Sequence, residues 1–149
     1  MKKKALFTGT FDPFTIGHYA LVQRALCFTD EIIIAIGVNY EKHTLFTLEE
    51  RLNDINRIFC GENRITVTSY DALTVDFAKD EGVDFILRGI RNISDFEYEK
   101  NMADINLKMS NIETVFLFAD TKYQHVSSSL VRELIYYKKD ISKLIPILQ

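Results

Sequence analysis

The sequence predicts an α/β fold: one domain built on a doubly wound, five-stranded parallel sheet with the strand order 3-2-1-4-5. Short β-like runs alternate with helical patterns over all 149 residues, without a repeat, a low-complexity stretch or a linker. The run Glu31–Val38 is β-branched and almost wholly apolar, which is typical of a parallel strand buried on both faces. Strict alternation and right-handed crossovers leave few other topologies. The length is one domain's worth, so residues 1–149 are assigned to a single domain.

The first half of the chain predicts two strands and two helices. Lys4–Thr8 is the first strand, and Tyr19–Phe28 follows as a helix because its apolar residues recur at helical spacing. Glu31–Val38 is the second strand. The segment Thr47–Glu50 is a capping box, and the helix that it opens is expected to run to Phe59. A glycine two positions further on suits the end of that helix.

The middle of the chain continues the alternation. Arg64–Ser69 is predicted to be the third strand, and Thr74–Asp80 a short helix that stops at the glycine two positions later. Val83–Leu87 is the fourth strand. The segment Ser94–Glu97 has the pattern of a second capping box, which predicts a helix running to about Met109.

The last third of the chain predicts one strand and two helices. Thr114–Phe118 is the fifth strand. Three serines, Ser127–Ser129, open a helix that is expected to run through Tyr137, because serine is a favoured N-cap residue. A short final helix is expected within Asp140–Gln149.

Composition excludes several classes of protein. Hydrophobic residues make up 47% and charged residues 26% of the chain, which are ordinary values for a globular domain. The net charge of −3 gives no support to a general nucleic-acid binder. The longest apolar run, Ile32–Val38, is far shorter than the roughly 20 residues of a membrane span. The basic N-terminus is followed by no signal-peptide core.

The cysteines point to a reducing compartment. Cys27 and Cys60 have neither CxxC spacing nor a histidine partner pattern. We therefore expect both to be small core residues rather than a disulfide or metal ligands. With no membrane or secretory segment in the sequence, this predicts a soluble, cytoplasmic protein.

The predicted topology places a ligand site after strands 1 and 4. In a doubly wound sheet, ligands bind outside the carboxyl ends of the strands where the strand order reverses. Strand 1 is followed by the segment Thr8–His18, and strand 4 by Arg88–Arg91. Two arginines three positions apart suit a phosphate, because a guanidinium fork matches phosphate geometry. Two ordinary tight turns would account for the glycines and the proline, but not for the arginines.

The segment after strand 1 has further features that suit a phosphate. Gly9 would allow close approach of the backbone, and Gly17-His18 lies near a helix start, whose free N–H groups favour an anion. A surface histidine at a helix start is the simpler alternative for His18. The spacing fits neither a P-loop nor a GxGxxG loop, since Gly9 and Gly17 are eight apart.

Several motifs resemble those of the HxGH nucleotidyltransferases, in the threonine form TxGH that is typical of the phosphopantetheine adenylyltransferase family. They match in order and spacing over nearly the whole chain, and five in register are far more specific than any one. The matching segments are Gly9–Pro13 with Thr15–His18, Phe46–Arg51, Arg88–Arg91, Asp95–Glu99 and Ser127–Arg132.

This resemblance implies a Rossmann-like nucleotidyltransferase fold and a definite reaction. The family transfers the adenylyl group of ATP to 4′-phosphopantetheine, giving dephospho-CoA and pyrophosphate, with Mg²⁺. This is the penultimate step of coenzyme A biosynthesis, and the acceptor phosphate attacks the α-phosphorus directly. The resemblance also implies a homohexamer, a dimer of trimers, and coenzyme A as a feedback inhibitor. No nucleic acid or membrane partner is expected.

The resemblance also implies roles for individual residues. His18 would stabilise the transition state, Thr10 would orient the attacking phosphate, and Lys42 and Arg88 would bind that phosphate. Thr74 falls where the family contacts the pantetheine. The residues matched to ATP contacts are Thr10, Phe11, His18, Gly89, Ile90, Arg91, Glu99, Tyr123, Gln124, His125, Val126, Ser127, Ser128 and Ser129. We expect Lys42, Arg88, Arg91, Arg132 and His18 to converge on one cleft, and the sequence indicates no metal-ligand cluster.

Simpler interpretations of these residues stay open from sequence alone. Lys42 lies in a polar loop, where lysines are usually just solvated, and Glu99 could belong to an ordinary helix face. The serines could be only an N-cap cluster. A related cytidylyltransferase or nicotinamide-nucleotide adenylyltransferase is the first alternative function, although those enzymes more typically have a histidine at the position of Thr15. A nucleotide-binding or signalling module without catalysis is the second.

Overall fold

The computed structural model describes residues 1–146 and confirms the predicted sheet. All of its strand pairs are parallel, and the order is β3-β2-β1-β4-β5. The strands lie within one residue of their predicted bounds except for β4, which begins two residues later and ends three residues later than expected. Their bounds are β1 Lys4–Gly9, β2 Glu31–Gly37, β3 Ile65–Tyr70, β4 Phe85–Ile90 and β5 Glu113–Phe118.

Five α-helices connect or follow these strands within residues 1–146. Thr47 and Glu50 form the predicted capping box of α2, and α3 has the predicted bounds. Helix α1 begins three residues earlier than expected because Thr15 caps it. The helices are α1 Ile16–Ala25, α2 Leu48–Ile58, α3 Thr74–Asp80, α4 Ile93–Ser110 and α5 Ser128–Tyr136, with a short 3₁₀ turn at Thr121–Tyr123.

The predicted second capping box is wrong. Helix α4 is capped by Asn92, whose side chain accepts a hydrogen bond from the backbone N–H of Asp95 at 2.9 Å. Ser94 lies inside the first turn and makes no cap. The pattern at Ser94–Glu97 misled because asparagine is as good an N-cap as serine, so two candidate starts lay two residues apart.

The chain after α5 also differs from expectation. Between Asp140 and Pro146 the structure shows turns rather than a helix, and residues 147–149 of the predicted last helix lie outside the described part. This segment packs beside the start of α1, where the backbone N–H of Ile16 donates to the carbonyl of Leu144 at 2.8 Å. This hydrogen bond therefore satisfies one of the backbone N–H groups at the N-terminus of α1 that have no partner within the helix.

The expectation that the cysteines are core residues is wrong. Cys27 and Cys60 are both free thiols at the surface. Cys27 lies just after α1 and Cys60 just after α2, at helix ends that face solvent. Among the described residues, no helix is long and apolar enough to cross a membrane.

The core lies on both faces of β2 and β1, as the apolar run predicted. Alternate residues of β2 point to opposite faces, so Ile32, Ile34 and Ile36 pack in one layer while Ile33 and Ala35 pack in the other. The first layer is closed by α1 and α2, and the second by α3. Because helices cover both faces of the sheet, a ligand can reach its centre only at the strand ends. The carboxyl ends of β1 and β4 lie side by side there.

Replacing Asn92 by alanine should destabilise the protein by about 1 kcal/mol, because the first turn of α4 loses its cap. Ser94→Ala is the matched control, since it removes a hydroxyl two residues away without removing a cap bond, and should change stability by less than about 0.5 kcal/mol. Urea unfolding of both variants measures the two values. Equal losses would contradict the cap assignment.

Candidate active site

Two clefts open at the carboxyl ends of β1 and β4, where the topology predicted a ligand site. The first, here called the central cleft, has a volume of about 340 Å³ and the second, the adjoining cleft, about 380 Å³. Both fall in the range of small-molecule sites, roughly 300–1,000 Å³. They share one wall, which is formed by Thr8, Gly9, Thr10, Lys42, Arg88 and Glu99.

The end of β1 and the loop after it form the floor of the central cleft and are held through their backbone carbonyls. Four of these carbonyls, one in β1 and three in the loop, accept hydrogen bonds from side chains of β4, α2 and α5. Three of the four donors are arginines, whose planar guanidinium group can donate to a carbonyl while its other N–H groups keep their own partners. The pairs are Thr8 O with Arg88 Nη1 (2.6 Å), Thr10 O with Arg51 Nη1 (2.7 Å), Asp12 O with Arg132 Nη1 (2.8 Å) and Pro13 O with Ser128 Oγ (2.8 Å).

Phe11 and Gly9 show how tightly this loop is folded. Phe11 has φ of 49°, a left-handed conformation that is uncommon for a bulky residue. Its ring turns back over the strand end, so a Cβ atom on Gly9 would lie 2.9 Å from the ring. The space at Gly9 is therefore filled in part by Phe11, rather than being left wholly to a phosphate as the sequence suggested.

His18 lies at the head of α1 with its orientation fixed by the helix cap. The backbone N–H of Thr15 donates to His18 Nδ1 at 2.9 Å, and the Thr15 hydroxyl accepts from the backbone N–H of His18. Because Nδ1 accepts this bond, the proton of the neutral ring belongs on Nε2. The ring packs among Phe7, Phe11 and Phe14, with centroid separations of 5.1–6.2 Å, and it borders the central cleft.

The same surroundings keep the His18 ring neutral. Burial, together with the positive charges of Arg91 and Arg88, lowers its pKa from 6.5 to about 3. Both effects oppose a second proton on the ring. At neutral pH, His18 therefore presents an uncharged N–H donor and is not a general acid.

Lys42 reaches the shared wall from an exposed loop between β2 and α2. Its ammonium donates to the hydroxyl of Thr10 at 2.9 Å. Among the described residues, no carboxylate lies within 4.0 Å of Lys42, whereas the arginines of the site are paired. Lys42 thus brings an uncompensated positive charge to the boundary between the clefts, so it is more than a solvated loop lysine.

Arg88 is already paired in this structure. Glu99, on α4, accepts from Arg88 Nε at 2.9 Å and from Nη2 at 2.5 Å, in a bidentate pair that is largely shielded from solvent. Glu99 was expected among the ATP contacts, and it does border the central cleft, but its carboxylate faces Arg88. An incoming phosphate therefore meets a guanidinium whose charge is offset by Glu99.

Arg91 has a comparable arrangement at the rim of the central cleft. Its Nε donates to Asp95 on α4 at 3.2 Å, and the backbone N–H of Arg91 donates to the same carboxylate oxygen. The carbonyl of Arg91 accepts from the Gln124 side chain at 2.9 Å. Gln124 therefore holds the backbone of Arg91, and its side chain does not line the central cleft.

The three serines at the start of α5 have three different partners. Ser127 caps the helix by accepting from the backbone N–H of Leu130, and Ser128 donates to the loop carbonyl of Pro13. Ser129 accepts from Arg132 at 3.1 Å. All three border the central cleft, so the N-terminus of α5 faces it and offers an anion-binding end.

The adjoining cleft extends from the shared wall toward α3 and α4. Thr74, at the start of α3, forms a hydrogen bond with the hydroxyl of Tyr70 at 2.9 Å. The Tyr70 ring stacks on Phe77 with centroids 4.7 Å apart. Met102 and Asn106 complete the far side on α4. Its lining carries fewer charged side chains than that of the central cleft.

Most of the expected site residues meet at the two clefts. The five residues that were expected to converge on one cleft all border the central cleft: Lys42, Arg88, Arg91, Arg132 and the neutral His18. Of the residues matched to ATP contacts, eleven border it: Thr10, Phe11, His18, Gly89, Arg91, Glu99, Tyr123, Val126, Ser127, Ser128 and Ser129. The other three, Ile90, Gln124 and His125, lie outside its wall; Ile90 is buried and His125 is exposed.

Sequence reasoning missed three buried polar residues of the site. Asp12, Thr15 and Arg51 are almost fully enclosed; Asp12 and Arg51 bond backbone groups of the loops at the clefts, and the Thr15 hydroxyl accepts from the backbone N–H of His18 in α1. One signal for Arg51 was available: it falls on the same helical face as Leu48 and Ile55, where a charged residue needs a buried partner. Asp12 gave no such signal, because its partners are backbone groups distant in sequence, whereas Thr15 bonds locally, to His18 three residues further on.

The described residues offer no protein-built metal centre. Within residues 1–146, no three His, Cys, Asp or Glu side chains are grouped so as to hold a metal ion. Of the acidic residues at the central cleft, Asp95 and Glu99 are each paired with an arginine, and Asp12 is taken up by two backbone amides. The donor set therefore fits a metal that arrives on a phosphate ligand better than one held by the protein.

Comparisons with known proteins identify the family. A family model described as cytidylyltransferase-like matches residues 6–134. Phosphopantetheine adenylyltransferase from Bacteroides fragilis is 54% identical over 144 residues, covering 97% of this chain and 96% of that one. The protein of the same name from Porphyromonas gingivalis is 48% identical over 147 residues, covering 98% and 96%. The chain belongs to the phosphopantetheine adenylyltransferase family.

Solved structures support the fold of this phosphopantetheine adenylyltransferase family member. A bifunctional NMN adenylyltransferase/ADP ribose pyrophosphatase from Francisella tularensis superposes with a TM-score of 0.73 at 14% identity. This chain is covered completely but spans only 46% of that longer one. A putative nicotinate-nucleotide adenylyltransferase from Vibrio parahaemolyticus gives 0.67 at 16% identity, with 99% and 95% covered. The predicted Rossmann-like nucleotidyltransferase fold is confirmed.

Membership in the phosphopantetheine adenylyltransferase family also confirms that the protein is a nucleotidyltransferase. Two relatives that carry this name are 54% and 48% identical to the chain over nearly its full length.

The His18 ring should stay neutral far below the usual histidine range. Its resonances in ¹⁵N–¹H NMR should show the Nε2–H tautomer, with a midpoint near 3 instead of 6.5. Since the unfolded chain takes up the proton first, this histidine should reduce stability as pH falls from about 6.5 toward 3, and should not do so above 6.5. The urea-unfolded protein is the control, and a folded-state midpoint near 6.5 would refute the assignment.

Proposed function

We propose that this protein transfers the adenylyl group of ATP to 4′-phosphopantetheine, giving dephospho-CoA and pyrophosphate, by direct in-line attack. One observation carries the proposal: two clefts of small-molecule size share a wall that bears Thr10, Lys42 and Arg88. A transfer between two phosphates needs two substrates side by side, with cations where they meet. The names of the close relatives supply the identity of those substrates.

The two clefts suggest how the substrates are arranged. ATP would occupy the central cleft, with its phosphates near Arg91 and the N-terminus of α5. The pantetheine arm would extend along the adjoining cleft past Thr74 and Tyr70. Its phosphate would then lie at the shared wall, beside Lys42 and Arg88. In this arrangement Thr10 contacts both substrates.

The chemistry asks for little beyond positioning and charge stabilisation. A phosphate monoester has its second pKa near 6, so at neutral pH it is mostly dianionic and needs no general base to attack. No protein nucleophile is needed either. Negative charge on the transferred phosphorus would be met by the Nε2–H of His18, which is fixed before the substrates bind.

Magnesium is proposed to enter with ATP as part of the substrate. The carboxylates nearest the phosphate region are held by arginines, so the residues described leave no ready set of oxygen ligands. Mg²⁺ commonly binds through substrate phosphates and waters rather than through an all-protein cage. The protein's part is then to hold the phosphates that the ion bridges.

We also propose a homohexamer, as the family resemblance implies. Helix α4 buries none of its residues within the described chain, although it carries apolar side chains at a helical spacing of 4, 3 and 4. These side chains, which are exposed, are Tyr98, Met102, Ile105 and Met109. A continuous apolar face on an 18-residue helix fits contact with another copy of the chain.

Two further proposals follow from the family. Coenzyme A contains the pantetheine arm and an adenine nucleotide, so it would fill the same two clefts and act as the feedback inhibitor.

The two exposed thiols, which form no disulfide, suit a reducing compartment and hence the cytoplasm.

His18→Ala should lower kcat by at least about 100-fold, because the transition state loses a preset donor. Pyrophosphate release with ATP and 4′-phosphopantetheine measures it. His125→Ala is the matched control, since His125 is exposed and lies outside the cleft wall, and it should retain wild-type kcat. Wild-type protein that turned over CTP or nicotinamide mononucleotide, but not this pair, would refute the proposed function.

Ile105→Glu and Met109→Glu should each dissociate the hexamer, because a charge would be buried at the contact. Sedimentation velocity gives the mass of each variant. Lys108→Gln is the control: it changes the net charge by the same amount, on a residue of α4 outside the apolar face, and should leave the assembly intact. An unchanged hexamer in both glutamate variants would place the contact elsewhere.

A further inference from the structure

The position of Lys42 needs an explanation, because its loop has little structure of its own. Residues 38–46 form neither helix nor strand, and Lys42 is exposed. Within the loop, its backbone N–H bonds only back to the carbonyl of Asn39, at 3.0 Å. Nevertheless its ammonium lies 2.9 Å from the hydroxyl of Thr10. Contacts from outside the loop must therefore set this distance.

Asp12 supplies the first of these contacts. It is only 3% exposed, and both of its carboxylate oxygens bind consecutive amides of the Lys42 loop. Oδ2 accepts from Leu45 N at 2.8 Å and Oδ1 from Phe46 N at 2.9 Å. Charge-assisted bonds of this kind are among the stronger ones in proteins. Asp12 therefore ties the end of the Lys42 loop to the loop that carries Thr10.

Arg51 ties the same two segments from α2. It is 8% exposed, and its Nη1 donates to the carbonyl of Thr10 at 2.7 Å. Its Nε donates to the carbonyl of Phe46 at 3.2 Å and to that of Thr47 at 3.3 Å. One planar guanidinium thus spans the gap between Thr10 and the end of the Lys42 loop, which the single ammonium of a lysine could not do.

The two residues form one electrostatic unit. Burial lowers the pKa of the Arg51 guanidinium, and the negative charge of Asp12 acts against that effect. Arg132 holds Asp12 from the opposite side by donating to its backbone carbonyl at 2.8 Å. The pair Asp12 and Arg51 is called the brace below.

We propose that the brace of Asp12 and Arg51 positions Lys42 against Thr10 for the acceptor phosphate. Neither brace residue need touch a substrate; each acts through the Lys42 loop. The inference rests on the proposed function for the identity of that phosphate. If Asp12 and Arg51 only stabilised the fold, replacing them would lower activity whether or not Lys42 is present. If they position Lys42, the effect of replacing them must disappear once Lys42 is absent.

The test is a double-mutant cycle with Lys42→Ala. Asp12→Asn leaves one oxygen to accept a loop amide and turns an NH₂ toward the other. Arg51→Lys keeps the charge but loses the fork. In the wild-type background each should reduce kcat/KM for 4′-phosphopantetheine by about 10- to 100-fold, the scale of a displacement near 1 Å. KM for ATP should rise by a smaller factor than KM for 4′-phosphopantetheine, since Lys42 is expected to contact the acceptor phosphate, although Asp12 also borders the central cleft.

In the Lys42→Ala background, the same two substitutions should cost less than about threefold in kcat/KM. Thr47→Ala is the stability control: it removes the cap of α2 beside the brace but none of the brace bonds, and should leave both constants unchanged. Thermal unfolding of every variant checks that it folds cooperatively. If Asp12→Asn proves unfolded, Arg51→Lys carries the test.

The outcomes separate the two claims. Equal losses with and without Lys42, or equal rises in KM for both substrates, would overturn the positioning role. Absence of wild-type turnover with this substrate pair would instead overturn the proposed function. Calorimetric titration with 4′-phosphopantetheine supplies a readout that needs no turnover, and there the brace variants should weaken binding only when Lys42 is present.

Discussion

The site depends on one constraint: the end of β1 and the loop after it are fixed through their backbone carbonyls. Arginines from β4, α2 and α5 and a serine from α5 each hold one of these carbonyls. Phe11 keeps a left-handed conformation within this loop, at a cost of roughly 1–3 kcal/mol that the surrounding bonds must offset. Thr10 and Thr15, which is the N-cap of α1, lie in the same loop. The position of this loop therefore sets the positions of the Thr10 hydroxyl and of the His18 ring, which Thr15 orients.

The electrostatics follow from the same arrangement. Arg51, Arg88 and Arg132 hold the loop, so part of the charge expected to serve substrates also maintains structure. Arg88 and Arg91 are offset by carboxylates of α4, and together they help to keep His18 neutral. Lys42 is left as the main uncompensated charge at the boundary of the clefts. A chain with a net charge of −3 can therefore present a locally cationic site without a cluster of free arginines.

The predictions that failed did so because the surroundings of a residue in the folded protein cannot be read from its neighbours in the sequence. Ser94 and Asn92 were both good caps for α4, and only the helix start decided between them. Cys27 and Cys60 were expected in the core, but each follows a helix end at the surface. Glu99 and Ser128 border the cleft as expected, yet their side chains bond to Arg88 and to the carbonyl of Pro13, which no local pattern reveals.

The sequence by itself determined the fold class, the strand order and the edge of the sheet where the site lies, because alternation and apolar runs are local properties that parallel topology converts into one arrangement. It also determined which residue types gather there. Only the tertiary structure decided what each of them does. The tautomer of His18, the pairing of Arg88 with Glu99 and the brace of Asp12 and Arg51 all depend on contacts between residues far apart in the chain or on backbone groups, which have no residue-type pattern to detect.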